Sequence, residues 1–551
     1  MYHRAVATLP LLLLVAVLAV LGAQAAVSAR SSKMQLVVHL ARTHSEAEIE
    51  GEFVSRSTPG SADFRKFLSQ AQLADLVQGT PAAIEAVTYF LTKRGASNVR
   101  LSTTRDVISC RITPELAAEL GHTGSRDLGR FALAVPAELS AHARFVVLNA
   151  AKGKKLHSPK LRSSDSPGAT QTPVTINARY NVPSSIAAPP GSYAQGVAQF
   201  IDEYFQQSDM NAFVAEYNLQ NVSIPVMGSN NPNDGGDPFE GTLDLQYQSS
   251  ISGGKIKTWW LAGGTDNSDP YHIDFTTWAD SVLYASPMPY VVSISWAIGL
   301  ERYDLSILVA DNDAFRKMGL RGISVVAGSG DNGPGVRSTT VSCDVFTPSW
   351  PASSPYVTSV GATYAASGTS ASSSSSSSSA ASSTFAAAPA TTETAASWSG
   401  GGFSTVFARP SYQDAAVTNY LSSAANLPAA SFYNATGRGY PDVSALGTNY
   451  NVYVGGAWQQ VSGTSCASPT FSGVVSLIVA ERIAAGNSSL GFLNPTLYRL
   501  GKVGYDVVSG QSVDQDSNCT GGSVPGFPAA TGWDAVSGLG TPDYNFLRQS
   551  L

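Results

Sequence analysis

Between residues 33 and 148 the apolar positions change period several times. Met34 to Leu40 alternates as a strand does. Ala62 to Val77 carries Phe64, Phe67, Leu68, Leu73 and Leu76 at helical spacing, and Pro81 opens another helix with Ile84, Val87, Phe90 and Leu91 on one face. Val99–Leu101 and Val107–Ile112 are predicted strands, and Pro114 starts a helix through Leu120. This alternation is enough for a compact α+β domain. From Ala151 to Thr172 the periodicity stops and Lys152, Lys154, Lys155, Lys160 and Arg162 appear, which predicts a linker and a cleavage region.

From about Pro173 onward the apolar runs are longer. Gln195–Phe200, Pro289–Ser295, Gly322–Val326 and Tyr356–Val360 read as buried strands with helical patterns between several of them. Such alternation predicts an α/β domain with a parallel sheet covered by helices on both faces. Thr470 to Ile483 reads as a helix. Residues 365–396 interrupt this domain with Ser, Ala and Thr, including eight consecutive serines from Ser372. That composition cannot build a core, so it is expected to be a disordered surface insertion.

One earlier segment is strongly apolar. His3 and Arg4 precede Leu9–Leu21, and Ala23-Gln24-Ala25 fits a small-residue cleavage site, the pattern of a secretory signal peptide over residues 1–25. The expected organisation is therefore signal 1–25, prodomain 26–150, linker 151–172 and a larger domain 173–551. A net charge of −6 argues against nucleic acid as a partner, and nothing supports a membrane partner once the signal is removed. Four cysteines, with no CxxC spacing, make neither a disulfide scaffold nor a zinc site. Asn221, Asn434, Asn487 and Asn518 each begin a glycosylation sequon.

The candidate chemistry centres on Gly463-Thr464-Ser465-Cys466-Ala467-Ser468-Pro469-Thr470, between a short apolar run and the helix at 470–483. A small-residue turn there holds the Ser465 hydroxyl at a helix N-terminus, where free N–H groups can stabilise an oxyanion. A lone GTS would be an N-cap, but the octet resembles the nucleophile segment of subtilisin-like peptidases. Of seven histidines only His272 lies beyond the linker, in Asp269-Pro270-Tyr271-His272, a poor setting for a triad base. A carboxylate must then take the serine proton. Glu240 and Asp244 stand four residues apart and share one helix face; in a partly dry site such a pair holds a shared proton. On its own the spacing also describes a solvated helix face. Asp331, in Ser329-Gly330-Asp331-Asn332-Gly333, follows a predicted buried strand, where sites of parallel sheets form. It reads either as an Asx-turn or, protonated, as a donor to an oxyanion.

Taken together, E-xxx-D, SGDxG and GTSxAS resemble the sedolisin, or serine-carboxyl peptidase, family. Gly196–Phe200, Pro348–Gly361, Gly400–Tyr412, Asn434–Leu446 and Leu490–Tyr498 extend the likeness, in particular to its tripeptide-releasing members. The resemblance implies a subtilisin-like fold behind an inhibitory α+β prodomain, Glu240 as base, Asp244 as its orienter, Asp331 at the oxyanion and Ser465 as nucleophile. It also implies one structural Ca²⁺ held by Asp506, Val507, Ala530, Gly532 and Asp534, an oxygen-only shell of the kind calcium prefers. Ala530 stands where the family usually has glycine, so its carbonyl can serve only if its backbone angles suit a Cβ. Cys466 replaces a small residue, and Cys343 and Cys519 occupy positions resembling a disulfide of the family. The expected activity is that of an acid-acting zymogen releasing tripeptides from free N-termini, in a lysosome, vacuole or outside the cell. An acidic endopeptidase and a catalytically silent binding protein on the same fold are the alternatives.

Overall fold

The computed structural model describes residues 34–551 except 124–128, 151–161, 164–168, 184–192, 201–202, 221, 223, 235, 264–272, 301–303, 336–344, 366–392 and 515–523. The signal segment, His272, Cys343, Cys519 and the serine tract therefore lie outside the described residues.

The first part of the chain runs β1 (Met34–Leu40), α1 (Glu46–Ser57), α2 (Gln70–Val77), α3 (Pro81–Lys93), β2 (Ser97–Leu101), β3 (Val107–Ile112), α4 (Pro114–Glu119), β4 (Gly129–Leu133) and β5 (Ala143–Ala150). Its five strands form an antiparallel sheet in the order β2-β3-β1-β5-β4. Leu36, Val38, Val87, Leu91, Ile108, Ile112 and Val146 make its core, which matches the period-2 and period-3.6 positions of the sequence. Compact packing divides the chain into two units, residues 1–42 with 79–154, and residues 43–78 with 155–551. Thus α1, α2 and the turns between them belong to the larger unit.

The helix expected over 62–77 is shorter, because only Gln70–Val77 is helical, with Ser69 as N-cap in a capping box. Upstream, Arg65 takes φ +58°, which no helix interior accommodates. The apolar side chains of that stretch are plugs instead. Phe67 lies against Gly322 and Gly491, where a Cβ would come within 2.7 and 2.4 Å of its ring, and both glycines have positive φ (+86° and +62°). Phe53, on α1, sits against Gly319 and contacts the rings of Tyr356 and Phe492.

The larger unit continues with β6 (Arg162–Ser163), α5 (Pro173–Arg179), β7 (Ala194–Gln199), α6 (Gln207–Glu216), β8 (Val226–Met227), α7 (Phe239–Ile251), β9 (Lys257–Ala262), α8 (Phe275–Leu283) and β10 (Pro289–Ile294). Then follow α9 (Leu305–Leu320), β11 (Ser324–Gly328), β12 (Thr358–Ala365), β13 (Glu393–Ala395), β14 (Val443–Leu446), β15 (Tyr450–Val454), β16 (Ala457–Ser462) and α10 (Thr464–Ala484). The central sheet has eight strands in the order β13-β12-β11-β10-β7-β9-β8, with β14 also paired to β12; every pairing is parallel except β12 with β13. This is the parallel α/β sheet the sequence predicts, although the third strand begins at Ser324 rather than Gly322, since Gly322 takes positive φ after α9. The serine-rich insertion falls between β12 and β13. Among the described residues no helix is long and apolar enough to cross a membrane.

Candidate active site

The nucleophile segment opens α10 and not, as the sequence suggests, a turn before it. The helix starts at Thr464, after Gly463, and Pro469 lies inside it. Proline has no N–H, so the Ser465 carbonyl receives no i→i+4 bond there. Every residue from Thr464 to Ala480 is buried, because α10 crosses directly under the sheet and against α7. Gly473 permits that crossing: a Cβ there would lie 2.7 Å from Ile251 on α7.

On α7, residues 240 to 251 are all buried, so the helix shows no amphipathic stripe. Gly241 lets its first turn rest on Trp260 of β9, where a Cβ would meet the indole ring at 2.4 Å. This fixes Glu240 and Asp244 inside the molecule, and neither faces solvent. Ser295 Oγ donates to Asp244 Oδ1 at 2.6 Å and Gln199 Nε2 donates to Asp244 Oδ2 at 2.7 Å. The Trp296 indole N–H donates in turn to Gln199 Oε1 at 3.3 Å. The Ser465 side chain lies beside Glu240, whose Oε1 is buried without a hydrogen-bond partner. Asp331, just beyond the carboxyl end of β11, accepts from the Thr464 backbone N–H (2.7 Å) and hydroxyl (2.9 Å) through Oδ1, and the Gly330 N–H donates to that hydroxyl at 3.1 Å. The fold thus gathers Glu240, Asp244, Asp331 and Ser465 from α7, the β11 exit and α10.

The electrostatics follow from burial. Burial, then the neighbouring Asp244, push the Glu240 carboxyl well above the usual range; the Ser465 hydroxyl opposes this, and Glu203 and Asp331 add to it. Burial raises Asp244 to about 8 against the hydrogen bonds from Ser295 and Gln199. The pair therefore holds a shared proton through acid and into the neutral range, which leaves one carboxylate to act as base. Burial also raises the Cys466 thiol strongly, so it stays an unreactive buried hydrophobe beside the serine. Gln199, Ser295, Trp296 and Glu203 were not singled out from sequence. The two glutamines of the otherwise apolar strand Ala194–Gln199 carry the one available signal, since a buried polar residue needs a partner.

The five calcium candidates lie in one loop region. The Gly532 N–H donates to Asp506 Oδ2 at 2.9 Å and the Ala530 N–H donates to Asp534 Oδ2 at 3.0 Å. Asp534 Oδ1 accepts from the N–H groups of Val536 and Ser537 at 3.0 and 2.7 Å. Burial raises Asp534 to about 7 in spite of these bonds, so a cation beside it would keep it ionised. Ala530 is absent from the positive-φ residues, so its Cβ is no obstacle to the backbone its carbonyl requires. Among the described residues no three His, Cys, Asp or Glu side chains converge as a metal cluster. The candidate set has only two carboxylates and depends on carbonyls for the rest. Donor chemistry and backbone angles fit the ion.

Residues 23–128 match the family described as Pro-kumamolisin, activation domain. Tripeptidyl-peptidase 1 of cattle (Bos taurus) is 33% identical over 527 residues, covering 90% of this chain and 87% of that one. Human tripeptidyl-peptidase 1 is 32% identical over 530 residues with the same coverage. Among solved structures, Pseudomonas sedolisin (serine-carboxyl proteinase) complexed with two molecules of pseudo-iodotyrostatin aligns with a TM-score of 0.52 at 22% identity, over 70% of this chain and 98% of that one. This last likeness establishes the subtilisin-like fold.

Proposed function

This chain belongs to the sedolisin family of serine-carboxyl peptidases and is a serine peptidase made with an activation prodomain, and on that premise we propose that it is an acid-acting enzyme releasing tripeptides from free N-termini. The observation that carries the chemistry is the buried Glu240/Asp244 pair with the Ser465 side chain beside Glu240. A carboxylate of ordinary pKa is a weak base for a serine hydroxyl; burial makes Glu240 a stronger one. Ser465 attacks the scissile carbonyl as its proton passes to Glu240, and the acyl-enzyme forms as Glu240 returns that proton to the leaving amine. Asp244, held from both sides by Ser295 and Gln199, fixes Glu240 and shares its charge. Asp331 accepts through Oδ1, which leaves its other oxygen to carry a proton in acid and donate it to the oxyanion. A carboxyl donates only while protonated, which is the reason the enzyme needs acid.

The zymogen reading extends to the linker. β6, within residues 151–172, pairs antiparallel with β16 in the register Val461↔Ser163 and Ser462↔Arg162, next to Gly463 and the nucleophile turn. A processing segment laid on the strand that leads into Ser465 supports self-cleavage on acidification. A Ca²⁺ ion held by the Asp506 and Asp534 carboxylates and the carbonyls of Val507, Ala530 and Gly532 would tie the C-terminal loops together. The route through the secretory pathway to a lysosome, vacuole or the exterior rests on the signal-like residues 1–25.

One assay tests the activity. Acid-treated protein is incubated with matched peptides bearing free or acetylated N-termini, and the products are weighed by mass spectrometry. Tripeptides from the free peptides alone are expected. Internal fragments from both would make the enzyme an endopeptidase, and no cleavage of either would leave a binding protein on a peptidase fold.

A further inference from the structure

The α7 helix begins without a side-chain N-cap, because Pro238 occupies the cap position. Its first N–H groups need acceptors from elsewhere. Asp237 Oδ1 accepts from the Phe239 N–H at 3.0 Å. The Gly241 N–H donates to Glu203 Oε2 at 3.3 Å, across 38 residues of sequence. Glu203 follows the end of β7 and is only 4% exposed. Gly241 is the residue after Glu240, and it is pressed onto Trp260 with no room for a Cβ. Whatever holds the Gly241 N–H therefore holds Glu240.

We propose that Glu203 is a positioning residue for the catalytic carboxylates: it caps the first turn of α7 and, as a third acidic group beside Glu240, sets the pH range in which the pair works. The proposal rests on the reading of Glu240 as the base. Four groups besides Glu203 bear on Glu240, the buried Cys466 thiol on α10 among them. Asp244 lies on the same helix, Asp331 at the β11 exit, and the Ser465 hydroxyl on α10. The three carboxyls among Glu203, Asp244 and Asp331 all raise Glu240, and only the serine hydroxyl lowers it. A negative charge at Glu203 favours the protonated form of Glu240. Its removal should let Glu240 ionise at lower pH.

Charge and cap separate cleanly by substitution. In E203Q the amide oxygen can still accept the Gly241 N–H, but the charge is gone. In E203D the charge stays while the reach shortens. The readout is the pH dependence of kcat/KM on a tripeptide-releasing substrate, with thermal unfolding alongside. E203Q should melt like the wild type and move the acid limb of the profile down by about one pH unit. E203D should melt lower and leave that limb in place. Limbs that coincide in wild type and E203Q, or that move equally in both variants, would overturn the assignment. Should E203Q not be secreted, E203S, which removes charge and cap together, is compared with E203D, which keeps the charge: a limb that falls in E203S and not in E203D assigns the shift to the charge, and equal limbs overturn it. Retained activity in E240Q would instead defeat the base reading itself, and that result is independent of where the E203Q limb falls.

Discussion

Replacing Phe53 by alanine should destabilise the precursor and leave the processed enzyme untouched. Phe53 is 3% exposed and lies on α1, which packs with the larger unit although it precedes the linker in sequence. Its ring meets Tyr356 at a centroid distance of 5.1 Å, nearly perpendicular, and Phe492 at 5.3 Å. Phe-to-Ala changes in packed sites cost about 3–5 kcal/mol, the upper part applying where neighbours cannot close the void. Here a groove of about 450 Å³ already runs beside the ring, lined by Tyr356, Tyr412, Phe492 and Tyr498, so a further void would join it rather than collapse. The electrostatic part of the contact remains, since Arg316 still pairs with Glu50 at 3.2 Å and with Glu46 and Asp313 at 2.7 Å. A net loss of about 3 kcal/mol corresponds to a drop of roughly 3 °C in melting temperature for a chain of this size. The assay is thermal unfolding of the secreted precursor in an S465A background, which prevents self-processing. G319A should act through the same contact, because its Cβ would come 2.7 Å from the Phe53 ring. The double variant should lose less than the sum of the two. Equal melting of F53A and wild-type precursors would refute the reasoning, and so would additive losses.

Three further outcomes are expected. S465A, E240Q and D244N should each lower kcat/KM by about a thousandfold or more without additivity, while the precursor is still secreted; ordinary turnover by E240Q would require another base. Because burial raises Asp244 to about 8, the native state binds the extra proton between the unfolded value and 8, so this group's contribution to stability falls as pH rises through that window. D244N should therefore show a flatter melting profile from pH 4 to pH 8 than the wild type. Chelation, or D534A, should lower the melting temperature of the processed enzyme, and an unchanged value in excess chelator would mean that no cation resides there.

The sequence made the scaffold readable wherever one face of an element differs from the other. The five-stranded unit shows this at β3, which buries Ile108, Cys110 and Ile112 with Ser109 and Arg111 less covered between them, and at α3, which keeps Val87, Phe90 and Leu91 on its core side, whereas β1 is buried on both faces from Leu36 to Leu40. Legibility fails where burial is uniform. Helix α7 is buried around its whole circumference, so its presence rested on the spacing of two acids and not on hydrophobic period. It fails again at Phe64, Phe67 and Leu68, whose helical spacing is accidental. Arg65 at positive φ breaks any helix there, and Phe67 is placed by glycines 322 and 491, more than 250 residues away, which no local pattern encodes. Glu203 and Gln199 were hidden for a related reason: each acts across the fold, on Gly241 and on Asp244.

The clustering of acids also links stability to activity. Burying a carboxylate in its charged form is costly, and here Glu240 and Asp244 lie fully inside while Glu203 is nearly so. Each hydrogen bond that Asp244 accepts offsets part of that cost but not the repulsion among the acids. The remaining offset is protonation, and it becomes available as the surroundings turn acidic. A site of this kind gains stability over the same fall in pH that the Asp331 donor requires. Neutral amide replacements should therefore stabilise the protein most at the pH where wild-type activity is least. An equal gain at every pH from D244N would break that link, leaving the carboxylates as ordinary packing residues whose charge does not matter.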